Sequence, residues 1–272
     1  MAEAFIPAGV DATLLLVRHG ESEWITRGLF QGQGDSPLTD LGRRQADLAA
    51  ERIAHASRPP ALPVPPRPPT TIVHSPLARA SATAEAIAAA LAHVDARKPR
   101  VPLRADPGFL EIGQGDWEGL PGTVIAERWP ELLRDWRADP LTAWAPGGES
   151  LPEVDARVRA ALARVLGELA EAGSRTARGR SPVLGYADEP GDDPWAVIVA
   201  HDGTFKVAVL ALLDLALAKF WMLPFALCGI SVIEIRNGRS RLRLHNATDH
   251  LAELETEAEA AREAARAETG AL

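Results

Sequence analysis

TLLLVRHGESEW, residues 13–24, is the stretch whose reading decides the fold. Thr13 to Val17 is a short apolar run that stops abruptly at Arg18-His19-Gly20. A run of this length with no polar alternation reads as a strand buried on both faces of a parallel sheet. A cation and an imidazole directly after such a strand are costly unless they find partners. The tripeptide alone supports two readings. One is a satisfied strand-end histidine beside a surface arginine. The other is a nucleophilic imidazole beside a guanidinium that grips phosphate with two parallel hydrogen bonds, with Gly20 letting the backbone come close to the ligand.

The same grammar recurs along the chain. Thr70 to Val73 ends at His74-Ser75-Pro76, and Trp195 to Ala200 ends at His201-Asp202-Gly203. Helical patterns lie between these runs. Thr39 offers an N-cap for a helix reaching His55, with Leu41, Leu48, Ala49 and Ile53 as its expected buried stripe. Leu77, Ala80, Ala84, Ile87 and Leu91 mark a second helix, and Val154, Val158, Ala161, Leu162, Val165 and Leu169 a third. Another should follow His201 to about Leu217. Asn237-Gly238, between Ile230–Ile235 and Arg241–His245, signals a hairpin turn. Residues 57–69 are proline-rich and read as a stiff surface connection. Alternating strands and helices predict a three-layer α/β/α sandwich with a mostly parallel central sheet. Ligands of such sheets bind beyond the carboxyl ends of the strands, so the chemistry should converge there. The expected layout is one domain over 11–251, with a lid segment at about 116–150, a flexible insertion at about 173–194, and an acidic Ala/Glu-rich tail at 252–272.

Composition narrows the function. The net charge is −8, and six glutamates against two arginines after Leu251 supply half of it. No basic stripe points to nucleic acid. The most apolar stretch, Val207 to Ala218, is short and carries Asp214, so no membrane span is expected. Cys228 is the one cysteine, which excludes an intrachain disulfide. The amino-terminal residues show neither a basic n-region nor an apolar h-region, and a cytoplasmic protein is the expectation.

LLLVRHGESEW and FQGQGDSPLTDLGRRQA (30–46) are followed by HSPLARASATAEAIA (74–88), FLEIGQGDWEGL (109–120), PGGES (146–150), VIVAHDGTFK (197–206) and HNATDHL (245–251). In this order the chain resembles the histidine phosphatase superfamily, the phosphoglycerate-mutase-like family, and its phosphatase branch in particular. The resemblance implies a metal-independent phosphoric monoester hydrolase with no cofactor, acting on a small-molecule phosphate ester. It makes His19 the residue that becomes phosphohistidine. Arg18 and Arg79 become the phosphate-binding arginines, His201 the second pocket histidine, and Glu111 the general acid. Ser22 and Gln31 fall where further phosphate donors sit. Asp202 joins the expected phosphate pocket in a position where glycine is common, either orienting His201 or facing solvent. Ile25 stands where many members carry asparagine. The family's oligomeric states vary, and a homodimer stays open.

Elementary chemistry supports this set. A phosphoryl group in transfer spreads negative charge over three equatorial oxygens. Two guanidiniums, a second imidazole and backbone N–H groups near Gly203 would surround them. The attacking ring must be neutral, and nearby arginines favour that form. Glu111 must hold a proton, which burial beside Trp117 and an anionic substrate both favour. Two rivals stand beside this reading: a mutase that returns the phosphoryl group to its substrate, and a non-catalytic phospho-ligand binder.

Other signals have blander explanations. His55, His74, His93, His245 and His250 show no metal-ligand spacing, and the Gly-Gln-Gly runs continue into no nucleotide-binding loop. Trp129 and Trp136 are spaced to share one helix face. With Trp144 they read as core packing of the lid, or else as an apolar wall that selects a bulky leaving group.

Overall fold

The computed structural model describes residues 5–94, 99–174, 192–254 and 256–257. The expected insertion lies largely outside the described residues, as does most of the acidic tail. Within them one sheet runs in the order β3-β2-β4-β1-β5-β6. Its strands are β1 (Ala12–Arg18), β2 (Thr71–His74), β3 (Leu103–Ala105), β4 (Trp195–Ala200), β5 (Ile230–Arg236) and β6 (Arg239–Ala247). β1 to β4 pair in parallel, and β5 and β6 add an antiparallel edge. Asn237 and Gly238 turn that edge with φ of 51° and 71°, the left-handed pair that a tight hairpin needs.

The helices are α1 (Glu23–Thr26), α2 (Asp40–Ala54), α3 (Ala78–Val94), α4 (Gly122–Arg128), α5 (Pro130–Ala138), α6 (Leu151–Ser174) and α7 (Asp202–Leu212). Successive side chains of a strand point to opposite faces, and β1 uses both. Leu14 and Leu16 pack with residues of α6 and α7, while Leu15 and Val17 pack with residues of α2 and α3. The α/β/α layering follows from that division, each buried leucine contributing about 1.5–3 kcal/mol of transfer free energy.

Four local expectations need correction. Leu41 is exposed, because α2 buries Gly42, Ala46, Ala49, Ala50 and Ile53. A Cβ on Gly42 would lie 1.9 Å from the Glu21 carbonyl oxygen, so a glycine is what lets the loop after His19 cross the first turn of α2. The proline-rich connection is not wholly superficial: Leu62 and Val64 are buried with the α2–α3 layer. α7 ends at Leu212, short of Leu217. Asp214 takes φ 54°, and the Leu215 N–H returns to the Leu210 carbonyl at 2.8 Å, a Schellman stop with aspartate in the usual glycine position. Trp129 and Trp136 do not share a helix, since Pro130 opens α5 and leaves Trp129 at the α4–α5 junction.

β2, β4 and β1 are adjacent in the sheet, and their carboxyl ends carry His74-Ser75, His201-Asp202 and Arg18-His19. The fold thereby brings segments far apart in the sequence to one edge.

Candidate active site

His19 is held by backbone on two sides. Its N–H donates to the Ala200 carbonyl at 3.0 Å, and the Cys228 N–H reaches the Arg18 carbonyl at 3.1 Å. The ring is buried, and Nδ1 lies 2.7 Å from the Gly20 carbonyl oxygen. A carbonyl can only accept, so Nδ1 carries the proton. Burial, then the charges of Arg79 and Arg18, push the ring well below the ordinary histidine range. A neutral ring protonated at Nδ1 presents a free lone pair at Nε2.

His201 sits beside it, with ring centroids 5.0 Å apart. It too is depressed, by burial first and then by His19, Arg79 and Arg18. Its Nε2 lies 2.8 Å from Ser75 Oγ, and its Nδ1 is buried without a protein partner. Arg79 is fully buried near the start of α3. Its Nη1 and Nη2 donate to the Gly34 and Gly32 carbonyls at 2.7 and 2.9 Å. Burial pulls its guanidinium down to about 10, still charged at neutral pH. Arg18 Nη1 donates to the Phe225 carbonyl at 2.5 Å. The Nε atoms of both arginines are buried without a partner. Three unmet buried nitrogens beside a free imidazole lone pair suit a small multivalent anion.

Glu111 closes this arrangement from another side. Its Oε1 accepts from the Ile112 and Thr204 N–H groups at 2.9 and 3.1 Å, and its Oε2 from the Gly203 N–H at 3.2 Å. The amino terminus of α7 therefore holds this carboxylate, and the amides near Gly203 expected at the phosphoryl oxygens are taken up by it. Trp117 is buried in the cluster of the 116–150 segment with Phe30, Ile125, Leu133 and Trp136.

Ser22 Oγ donates to Gln31 Oε1 at 2.6 Å. Ile25 is half-buried on α1. Asp202 neither orients His201 nor lies free in solvent. Its Oδ2 accepts from Lys206 Nζ at 2.6 Å and its Oδ1 from the Phe225 N–H at 3.3 Å. A carboxylate bound this way is a poor phosphate ligand, and its charge is met by a lysine lying 5.0 Å from the Trp221 ring centroid.

Sequence reasoning missed the scaffold behind Glu111. Arg157 donates to the carbonyls of Gly108, Leu110 and Glu111 at 3.1, 2.8 and 2.9 Å. It also pairs with both oxygens of Glu149, whose Oε2 accepts from the Gly113 N–H at 2.7 Å. One guanidinium thus ties PGGES to the acid-bearing loop. No local pattern marks Arg157, which shares its side of α6 with Glu153 and Arg164.

The two neutral rings make a stability prediction. An unfolded histidine gains its proton at about 6.5, whereas these folded rings do so only well below that. Stability present above pH 6.5 should therefore fall as the pH drops below it, by about 1.4 kcal/mol per pH unit for each ring. His245 and His250, also depressed by burial, push the same way. Urea unfolding between pH 7.5 and 5.5 measures the slope, and His19→Asn should flatten it by one ring's share. An unchanged slope would show that the folded ring takes up its proton over the same pH range as the unfolded one.

A buried neutral imidazole, two guanidiniums and a carboxylate are the equipment of a phosphoryl-transfer pocket. The chain belongs to the histidine phosphatase superfamily (branch 1), whose family model matches residues 14–248. It is 30% identical over 248 residues to phosphoserine phosphatase 1 of Hydrogenobacter thermophilus, covering 90% of this chain and 97% of that one. It is 34% identical over 208 residues to glucosyl-3-phosphoglycerate phosphatase of Mycobacterium tuberculosis, covering 76% and 78%. Among solved structures, a mycobacterial glucosyl-3-phosphoglycerate phosphatase complexed with VO3 superposes with a TM-score of 0.67 at 30% identity, covering 87% of this chain and 99% of that one. Among the described residues no helix is long and apolar enough to cross a membrane.

Proposed function

We propose that this chain hydrolyses a small phosphate monoester through a phosphohistidine at His19 Nε2. The observation that carries the reading is the bond from His19 Nδ1 to the Gly20 carbonyl, which leaves Nε2 as the free nucleophilic nitrogen inside a cationic pocket. Nε2 attacks phosphorus, the P–O bond to the alcohol breaks, and Glu111 gives the leaving oxygen its proton. Water then attacks the phosphohistidine, Glu111 takes the proton back, and inorganic phosphate leaves with the ring restored. Arg18, Arg79 and His201 stabilise the equatorial oxygens in both steps. In this reading Ser22 and Gln31, bonded to each other, supply further phosphate contacts. The 116–150 segment, with its aromatic cluster, serves as the lid that faces the leaving group.

The two named relatives carry different substrates in their names, phosphoserine in one and glucosyl-3-phosphoglycerate in the other. The reading accordingly stops at the class, a small-molecule phosphate ester. The lone thiol, Cys228, is buried and pushed up to about 12 by that burial, which keeps it protonated and outside the chemistry.

The test is covalent trapping. Brief incubation with a ³²P-labelled monoester, followed by a denaturing quench, should leave acid-labile, alkali-stable label on the protein. A panel of monoesters ranked by kcat/KM then gives the substrate. Neither label nor turnover across the panel would reduce the protein to a phospho-ligand binder, and isomerisation of the substrate would make it a mutase.

A further inference from the structure

We propose that Ser75 is a positioning residue that fixes the tautomer of His201, so that the proton sits on Nδ1 and is offered to the transferring phosphoryl group. The proposal rests on the phosphatase reading and adds to it a residue outside the set that handles phosphate.

His201 is completely buried among cations and is held neutral, so its ring carries one proton to place on either nitrogen. Nε2 is committed to Ser75 Oγ at 2.8 Å. Nδ1 is buried and has no protein partner, which makes it the nitrogen left for the phosphoryl oxygens. A lone pair at Nδ1 would repel those oxygens, and an N–H there would bind them. The hydroxyl decides between the two. Ser75 is itself fully buried, and its Oγ accepts a long bond from the Leu77 N–H at 3.4 Å. Its single proton has one acceptor among its contacts, Nε2 of His201. With that proton donated to Nε2, the ring's own proton is left on Nδ1. Were Nε2–H the donor instead, the buried hydroxyl proton would have no acceptor and Nδ1 would be an unpaired acceptor, two unmet groups where the first arrangement leaves one, at the place an anion fills.

The backbone explains why a serine can do this. Its N–H donates to the Val199 carbonyl at 2.9 Å, so the residue after β2 is pinned to β4 two positions before His201. The side chain then points across the strand ends at the ring.

The experiment reads the tautomer directly. In the ¹⁵N-histidine spectrum of the full chain, with no ligand and near pH 7.5, His201 should show a protonated Nδ1 and an unprotonated Nε2. Ser75→Ala should move the signal toward Nε2–H and lower kcat against an aryl phosphate by about 10–100-fold, with KM nearly unchanged. Ser75→Thr, which keeps the hydroxyl, should restore both. A wild-type spectrum with Nε2 protonated overturns the proposal even if Ser75→Ala fails to fold, as does a folded Ser75→Ala with wild-type kcat. Failure of the phosphatase reading looks different, since the resting tautomer stays readable in a protein that turns nothing over.

Discussion

His19→Ala is expected to lower phosphatase turnover by at least about 10⁴-fold and to abolish the acid-labile label, while leaving the protein folded. The size follows from the kind of group removed. Arginines and His201 stabilise charge that a water attack would also develop, so their loss weakens catalysis. His19 forms the bond to phosphorus, and its loss removes the pathway. The variant should still bind anions, because Arg18 and Arg79 are anchored through backbone carbonyls of residues 225, 34 and 32 and not through His19. Its vanadate affinity, measured by calorimetry, should therefore fall far less than its turnover. A His19→Ala protein that keeps even a hundredth of wild-type kcat would rule out the covalent route.

Glu111→Gln is expected to cost about 10²–10⁴-fold in kcat on alkyl phosphates and much less on an aryl phosphate with an acidic leaving group. A phenolate departs without help, whereas an alkoxide needs a proton as the P–O bond breaks. The aryl substrate should then reveal the second step. Phosphohistidine should accumulate, because no base activates water, and a burst of phenol should precede slow turnover. The amide side chain fills the same volume and keeps a carbonyl oxygen for the Thr204 and Ile112 amides, while its NH2 leaves the Gly203 N–H without its acceptor, so a small loss of stability should accompany the kinetic effect. An equal loss on both classes of substrate, with no burst, would assign Glu111 to phosphate binding or to scaffolding.

What could be read from the chain, and what could not, divides on a physical line. β1, β2 and β4 are buried runs of apolar residues with chemistry at their ends, so local pattern alone finds them. β3 is three residues long, with Leu103 and Ala105 exposed, and carries no pattern to find. It exists because β2 offers it an edge. The N-cap at Thr39 and the turn at Asn237-Gly238 are local chemistry and are legible. The stop of α7 at Asp214 is also local, yet an aspartate in the left-handed conformation resembles any other helix residue until its φ is seen. The roles of Ser75 and Arg157 were invisible for a different reason. The partner of Ser75 lies 126 residues away, and the three carbonyls that Arg157 meets lie 46–49 residues away; its ion-pair partner Glu149 is 8 residues off, a near pairing that does not disclose those carbonyl contacts. His19, Arg79 and Glu111 stood out because the resemblance to a family named them. Their mutual geometry, including the capture of the Gly203 and Thr204 amides by Glu111, came only with the fold.

The pairing of Asp202 with Lys206 restricts the order in which these two positions can change. An acidic side chain next to the second histidine is tolerated because its counterion travels on the following turn of the same helix. Lose the lysine first, and an uncompensated negative charge stands at the mouth of a site meant for dianions. Lose the aspartate first, and a cation is left that such a guest would welcome. A glycine at 202 is reachable by one route and closed by the other.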